Sequence, residues 1–268
     1  MSDFLRAMAD NSRMRADEAA RDRPLGMMRE RALDGPGPRP LGAFGTGFDL
    51  IAEIKPSSPS EGRFPERDPV VAAAGYRKGG AGMLSVLTEP SSFGGSLEVL
   101  RRVSGSTDIP VMAKDFLVDR YQVYEAREAG ADGVLVIARI LPDEMLQTMI
   151  EVVRELGMFA LLEAFDEDDL IRLRRAADGS TDVLIGVNCR DLDTLEIVPG
   201  RHQELARLLP DGTVSVAESA MRSEEDIERI ASLGYKAALV GSALMRSETA
   251  ADLVRSMVAA GRRVAVTA

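Results

Sequence analysis

The sequence predicts an α/β fold, a (βα)8 (TIM) barrel with an N-terminal helical extension. Eight apolar segments of strand length recur from Leu50 onward, and helix-like segments alternate with them. That alternation favours a parallel sheet, and the runs are apolar on both faces, as parallel strands require. The strand ends return about every 25 to 30 residues, the size of one βα unit. An open doubly wound sheet would alternate too, but no Gly-x-Gly-x-x-Gly turn follows the first strand, and 268 residues is near the usual barrel length.

Residues 1–34 read as helical, with Phe4, Leu5, Met8 and Met14 among charged neighbours, and "DGPGPRPLGAFGTG" breaks that helix. Residues 1–47 are therefore a helical extension and linker, too short for a core of their own, in the same domain as a barrel over 48–268. The first strand, "LIAEI", places Ile51, Glu53 and Lys55 on one face and Ala52 and Ile54 on the other, then runs into the turn "PSSPSEG". After the helix "PVVAAAGYRKGG" come the strands "MLSVLT" and "PVMAK", the helix "YQVYEAREAG" and the strand "GVLVIA". The helix "PDEMLQTMIEVVRELG" has Pro142 at its first turn and Gly157 beyond its last, and it leads to the strand "FALLEA". "DEDDLIRLRRAADG" is helical, and "VLIGVN" and "VSVAE" are the sixth and seventh strands. The helix "SEEDIERIASLG" opens on Ser223 with Asp226, a capping-box variant, and closes on Gly234 before the eighth strand, "AALVGS".

Composition narrows the function. A formal net charge of −10 argues against general attraction to nucleic acid or anionic membrane, so any anionic ligand must be held by local cations and backbone donors. The one cysteine, Cys189, excludes an intramolecular disulfide and points to a reducing, cytoplasmic setting. The N-terminus has no apolar signal-peptide core, and no later run reaches membrane-spanning length. A monomer is the default expectation. The one histidine, His202, follows Pro199 and Gly200 and reads as a solvated side chain at a surface loop or helix start. A histidine-ligated metal cluster or a Ser-His-Asp system lacks material, so acid and base work falls to Lys and Glu.

Barrel active sites lie at the carboxyl ends of the strands. There the sequence places Glu53 and Lys55 on the first strand, Lys114 and Phe116 on the third and Glu163 on the fifth. Asn188 and Arg190 end the sixth, Glu218 and Ser219 the seventh, Gly241 and Ser242 the eighth. Any one of these alone reads better as a strand-end salt bridge. Three cations and three carboxylates on one rim imply an interlocking network, because buried charge is costly unless paired. Such convergence shifts pKa values and can make an acid of Lys and a base of Glu. "AESAMRSEED" and "VGSALMRSE" each put small residues after a strand and before a helix, where barrels commonly bind phosphate; a tight strand-to-helix turn explains "GSALM" about equally well until Lys55 is placed beside it.

The set "IAEIKPSSPSEG", "LSVLTEPSSFGGSLEVL", "KDFLVDRYQVYEAREAGADGVLVIARIL", "IGVNCRDL" and "AESAMRSEEDIERIASLGYKAALVGSALMR" strongly resembles the indole-3-glycerol phosphate synthase family from about residue 49 to 247. The resemblance implies a phosphorylated small-molecule substrate, 1-(2-carboxyphenylamino)-1-deoxyribulose 5-phosphate, which loses carbon dioxide and water to give indole-3-glycerol phosphate without metal or organic cofactor. It implies Lys114 as general acid at the ribulose C2 oxygen and Glu163 as proton-transfer partner in the dehydration. Glu53 and Asn188 would orient sugar hydroxyls, and Lys55 would meet the substrate carboxylate or join the proton relay. Arg190 and Glu218 would complete the polar network. Ser58, Ser219, Gly241 and Ser242 would line the phosphate and sugar side, and Pro59, Phe93, Phe116 and Leu192 the anthranilate slot. Three positions depart from the family pattern: Ala220 for a usual Gly, Cys189 for a common Asn, and Glu61 for a common Lys. Alternation turns Cys189 away from the mouth, as a small core residue. A paralogue in a specialised indole pathway, another phosphosugar enzyme such as an isomerase or a Schiff-base aldolase using Lys114, and a non-catalytic barrel binding an anthranilate-like ligand or a pathway partner stand as alternatives.

Overall fold

The computed structural model describes residues 3–177, 180–192 and 194–265. Two helices precede the barrel, α1 (Asp3–Asp22) and α2 (Leu25–Asp34), so the expected helical stretch is split at Pro24, whose ring removes a backbone donor. Eight parallel strands follow: β1 (Asp49–Ile54), β2 (Met83–Leu87), β3 (Val111–Lys114), β4 (Gly133–Ile137), β5 (Phe159–Ala164), β6 (Val183–Asn188), β7 (Val214–Glu218) and β8 (Ala237–Val240). Each pairs with the next, and β8 returns to β1 with Ile51 opposite Leu239, closing the barrel.

The intervening helices are α3 (Pro69–Gly79), α4 (Leu97–Ser104), α5 (Arg120–Glu128), α6 (Asp143–Glu155), α7 (Glu167–Ala177), α8 (Arg201–Ala206), α9 (Glu224–Ser232), α10 (Ser242–Arg246) and α11 (Ala250–Ala265). Their ends follow local chemistry. The Asp68 carboxylate accepts from the amides of Val70 and Val71 at the start of α3, and the Asp119 carboxylate and Gln122 make a full capping box on α5. At α9 the Ser223 hydroxyl accepts from Asp226 N, while the Asp226 carboxylate reaches past the cap to Arg222 N. Pro142 is the N-cap of α6, and Gly157 and Gly234 take φ of +65° and +93° after α6 and α9. The expected end of the α7 segment, Asp178 and Gly179, lies outside the described residues.

Strands β1, β2, β4, β5 and β6 are buried along their whole length. Inside the barrel the register sets Ile137 beside Glu163, Glu163 beside Gly186, and Asn188 beside Glu218, which stacks the polar residues in one layer at the carboxyl ends. Helix α1 lies against that end: Phe4 meets Phe116 edge-on, Arg15 makes a two-point ion pair with Asp115, and the Gln122 amide donates to Ser12. The opposite end is closed by Phe48 and α11, where Arg262 bonds Phe48 O and Asp49. No helix among the described residues is long and apolar enough to cross a membrane.

The structure corrects the expectation for His202. It is buried, not solvated, because the first turn of α8 is pressed onto β6 and β7. Its Nε2–H is shared between the carbonyls of Val187 and Glu218, each at 3.1 Å, and its ring meets Tyr235 edge-on. Burial drives its pKa down to about 4, against the pull of those two carbonyls, so it is neutral at pH 7.

Candidate active site

The carboxyl-end mouth encloses about 1030 Å³, counting the part open to solvent. Every residue singled out in the sequence for this site lines it: Glu53, Lys55, Ser58, Pro59, Phe93, Lys114, Phe116, Glu163, Asn188, Arg190, Leu192, Glu218, Ser219, Gly241 and Ser242. The alternation of β1 aims Glu53 and Lys55 at one another, 2.9 Å apart, and the end of β3 brings the Lys114 ammonium within 3.4 Å of the same carboxylate. Burial alone would raise the pKa of Glu53, but Lys55 and Lys114 outweigh it and hold it at about 2.

A second cluster adjoins the first. The Asn188 amide donates to Glu163 at 2.6 Å, and its oxygen accepts from the Ser219 hydroxyl at 2.8 Å and from Arg190 N at 2.9 Å. That oxygen and nitrogen assignment is the one the network allows. Glu218 is buried, and among the described residues neither of its carboxyl oxygens has a donor. Burial first, and then the neighbouring Glu163, push its pKa well above the carboxylate range. A buried carboxyl without donors is more stable protonated, and its O–H then faces Glu163, whose own pKa is raised chiefly by burial.

Two lysines thus balance two carboxylates, and the third carboxyl holds a proton. Burial pulls the pKa of Lys114 down, but Glu53, Glu163 and Glu218 together lift it above the usual lysine range. The convergence therefore keeps the ammonium charged; it does not lower its pKa. What remains is a fixed N–H donor on the barrel floor beside a carboxyl pair that can give or take a proton.

Two walls flank this floor. On one side the rings of Phe93 and Phe116 pack on each other at 6.0 Å, with Pro59 and Leu192 also lining the mouth, so a flat apolar group has an apolar wall to lie against. On the other, Gly241 precedes the first turn of α10. A Cβ on Gly241 would come within 2.1 Å of the Glu53 carboxylate and 3.0 Å of Lys55 Nζ, so glycine is what lets the first and eighth strands share this corner. Ser219 and Ala220 have φ of +69° and +60°, so the position where the family usually has Gly is left-handed here, and Ala220 holds it at a strain cost of about 1 kcal/mol. Cys189 is buried and does not line the mouth, as alternation predicts, and burial pushes its thiol up to about 11.

Sequence reasoning missed four residues, in three places. Gly186 makes room for Glu218, since a Cβ there would sit 2.1 Å from its Oε1; an isolated glycine inside an apolar strand was the available signal. Asp115 ties the end of β3 to Arg15 of α1 and to the Thr88 hydroxyl. Arg246 and Phe64 stand at the Ser242 corner, with both Arg246 and Lys55 over the Phe64 ring. Neither of these last two groups has a sequence signal, because the pairs are distant along the chain.

Known proteins share the sequence and the fold that carry this site. The family model for indole-3-glycerol phosphate synthase matches residues 41–257. Relatives bearing that name include a protein of Kineococcus radiotolerans, 44% identical over 231 residues that cover 86% of this chain and 83% of that one. A Beutenbergia cavernae protein is 41% identical over 261 residues, 95% of each chain. "Indole-3-glycerol phosphate synthase 1" of Streptomyces coelicolor is 41% identical over 258 residues, 94% of each. Among solved structures, 3-hexulose-6-phosphate synthase from Salmonella typhimurium matches with a TM-score of 0.65 over 81% of this chain and 100% of that one; at 16% identity this is a likeness of fold.

Proposed function

The chain belongs to the indole-3-glycerol phosphate synthase family, whose reaction is the decarboxylating ring closure of tryptophan biosynthesis, and we propose that the mouth residues divide that reaction as follows. The substrate, 1-(2-carboxyphenylamino)-1-deoxyribulose 5-phosphate, lies with its aromatic ring against the wall that Phe93 and Phe116 form together, facing Pro59 and Leu192. Its phosphate lies at Ser58, Ser219, Gly241 and Ser242. Lys55, beside Gly241, faces that phosphate end, and Arg190 stands on the same side. Glu53 and Asn188 hold the sugar hydroxyls between the two ends.

In this reading the Lys114 ammonium points at the C2 carbonyl oxygen. As the ring carbon bearing the carboxylate bonds to C2, the carbonyl electrons move onto oxygen, and Lys114 gives that oxygen a proton. A raised lysine pKa is no obstacle, because a developing alkoxide is far more basic than any amine. Preorganised charge in a dry slot is what makes the transfer fast. Carbon dioxide then leaves, and its bonding pair restores the aromatic ring. The C2 hydroxyl takes a second proton, from the Glu163–Glu218 pair, and departs as water; the nitrogen lone pair assists, and a proton lost from the adjacent carbon returns to the pair. Two protons are given and one recovered, which matches loss of a carboxylate as neutral carbon dioxide.

The observation that carries this assignment is the Lys114 ammonium set within 3.4 Å of Glu53 on the floor, between an aromatic wall and an anion corner. Lys114→Ala is expected to lose roughly a thousandfold in turnover, within the usual range for a general acid, when product is followed by indole fluorescence. Wild-type turnover in K114A would remove the acid role. The reading includes a cytoplasmic setting, supported by the lone buried Cys189, and a monomer with residues 1–47 acting as part of the barrel domain.

A further inference from the structure

The anion corner of the mouth already contains an anion. Between β1 and α3 the chain turns back in a short hairpin, Ser57–Ser58 paired with Gly62–Arg63, and Glu61 stands at its tip. The base of the hairpin is anchored by Ser57 N to Phe93 O and Phe64 N to Pro56 O. The tip is not anchored in that way. Beyond one 3.3 Å bond from Glu61 N to Ser58 O, it is fastened by the Glu61 side chain. Glu61 Oε1 accepts the Ser242 hydroxyl at 2.6 Å and lies 3.9 Å from Arg190, while Oε2 is 3.3 Å from Arg246.

Three features separate this contact from an ordinary surface salt bridge. Its shortest bond is to the hydroxyl that opens α10, in the corner assigned above to the substrate phosphate. Burial alone would raise the Glu61 pKa, but Ser242, Lys55 and Arg246 hold it below the ordinary value, so the group is charged at neutral pH. On the same hairpin the Ser58 hydroxyl is buried, lines the mouth and has no partner among the described residues. A phosphate needs these same donors, and two anions cannot share them.

We propose that Glu61 is a built-in counter-anion: it occupies the phosphate corner when no substrate is bound, the incoming phosphate displaces it by a side-chain rotation, and it thereby sets the affinity for phosphorylated ligands. The proposal rests on reading the Ser242 corner as the phosphate end. A corner free of Glu61 for about one-tenth of the time would weaken apparent phosphate affinity roughly tenfold.

The test is calorimetric titration of inorganic phosphate into the full chain, for wild type, E61Q, E61K, S242A and the E61Q/S242A double variant. E61Q keeps the shape and removes the charge, and is expected to bind phosphate roughly tenfold tighter, with the KM of the phosphorylated substrate falling alongside. E61K, which adds a cation, is expected to bind tighter still. If E61Q and E61K bind phosphate no more tightly than wild type while S242A binds it more weakly, the phosphate corner stands and the counter-anion is refuted. If E61Q/S242A binds as tightly as E61Q, phosphate goes elsewhere, and the corner assignment falls with it.

Discussion

At the scale of single residues, burial decides protonation, and its sign is testable at His202. Burial holds the folded pKa at about 4, against the ordinary histidine value of 6.5. Between those values the unfolded chain binds a proton that the native one refuses, so stability rises with pH through this window and is complete above it. Wild type is therefore expected to lose roughly 2 to 3 kcal/mol more than H202Q between pH 7 and pH 4.5, measured by urea unfolding at each pH. Equal losses would mean that His202 titrates as a solvated group. Glu218 follows the opposite rule: its raised pKa means that stability is lost as pH rises through the folded value. Glu53, held at about 2, contributes fully above its unfolded pKa and loses that contribution progressively as pH falls from there through the folded value. The identities of the mouth residues were legible in the sequence because strand alternation aims them. Their charge states were not, since each depends on neighbours tens of residues away.

At the scale of elements, α1 is coupled to the chemistry through Asp115. That carboxylate follows Lys114 directly, accepts both Arg15 bonds at 3.1 and 2.7 Å, takes the Thr88 hydroxyl at 2.9 Å and holds Phe116 N at 2.8 Å. Removing Arg15 leaves a buried carboxylate short of its cation. Arg15 is itself one-third exposed, which limits the cost to about 1 to 2 kcal/mol. R15A is expected to lower the denaturation midpoint by that amount and to reduce turnover several-fold, because the end of β3 carries both Lys114 and Phe116. An R15A protein with unchanged midpoint and turnover would show that the pair braces nothing. The strands and helix caps of the barrel could be read from apolar runs and capping residues. The docking of α1 could not, because Arg15 and Asp115 are far apart in sequence and nothing local links them.

At the scale of the whole molecule, the two ends of the barrel divide the work: the carboxyl-end mouth carries the polar layer, and the opposite end carries closure. Gly261 of α11 faces Phe48 there, and a Cβ would meet the ring at 2.1 Å. Glycine to alanine within a helix ordinarily stabilises by about 1 kcal/mol. Here G261A is expected to destabilise by about 2 to 3 kcal/mol through overpacking, while the KM of the folded enzyme stays at the wild-type value. A stabilised G261A, seen in thermal unfolding, would mean that Phe48 yields freely. The sequence by itself determined the barrel, the order of its units and which side chains point into the mouth, because periodicity and alternation act over a few residues. Tertiary structure alone decided that Glu218 keeps a proton, that Lys114 stays charged, that His202 is buried and that Glu61 sits on Ser242. Electrostatic energy and desolvation depend on through-space distance, and the closing of β8 onto β1 sets distances that separation along the chain does not encode.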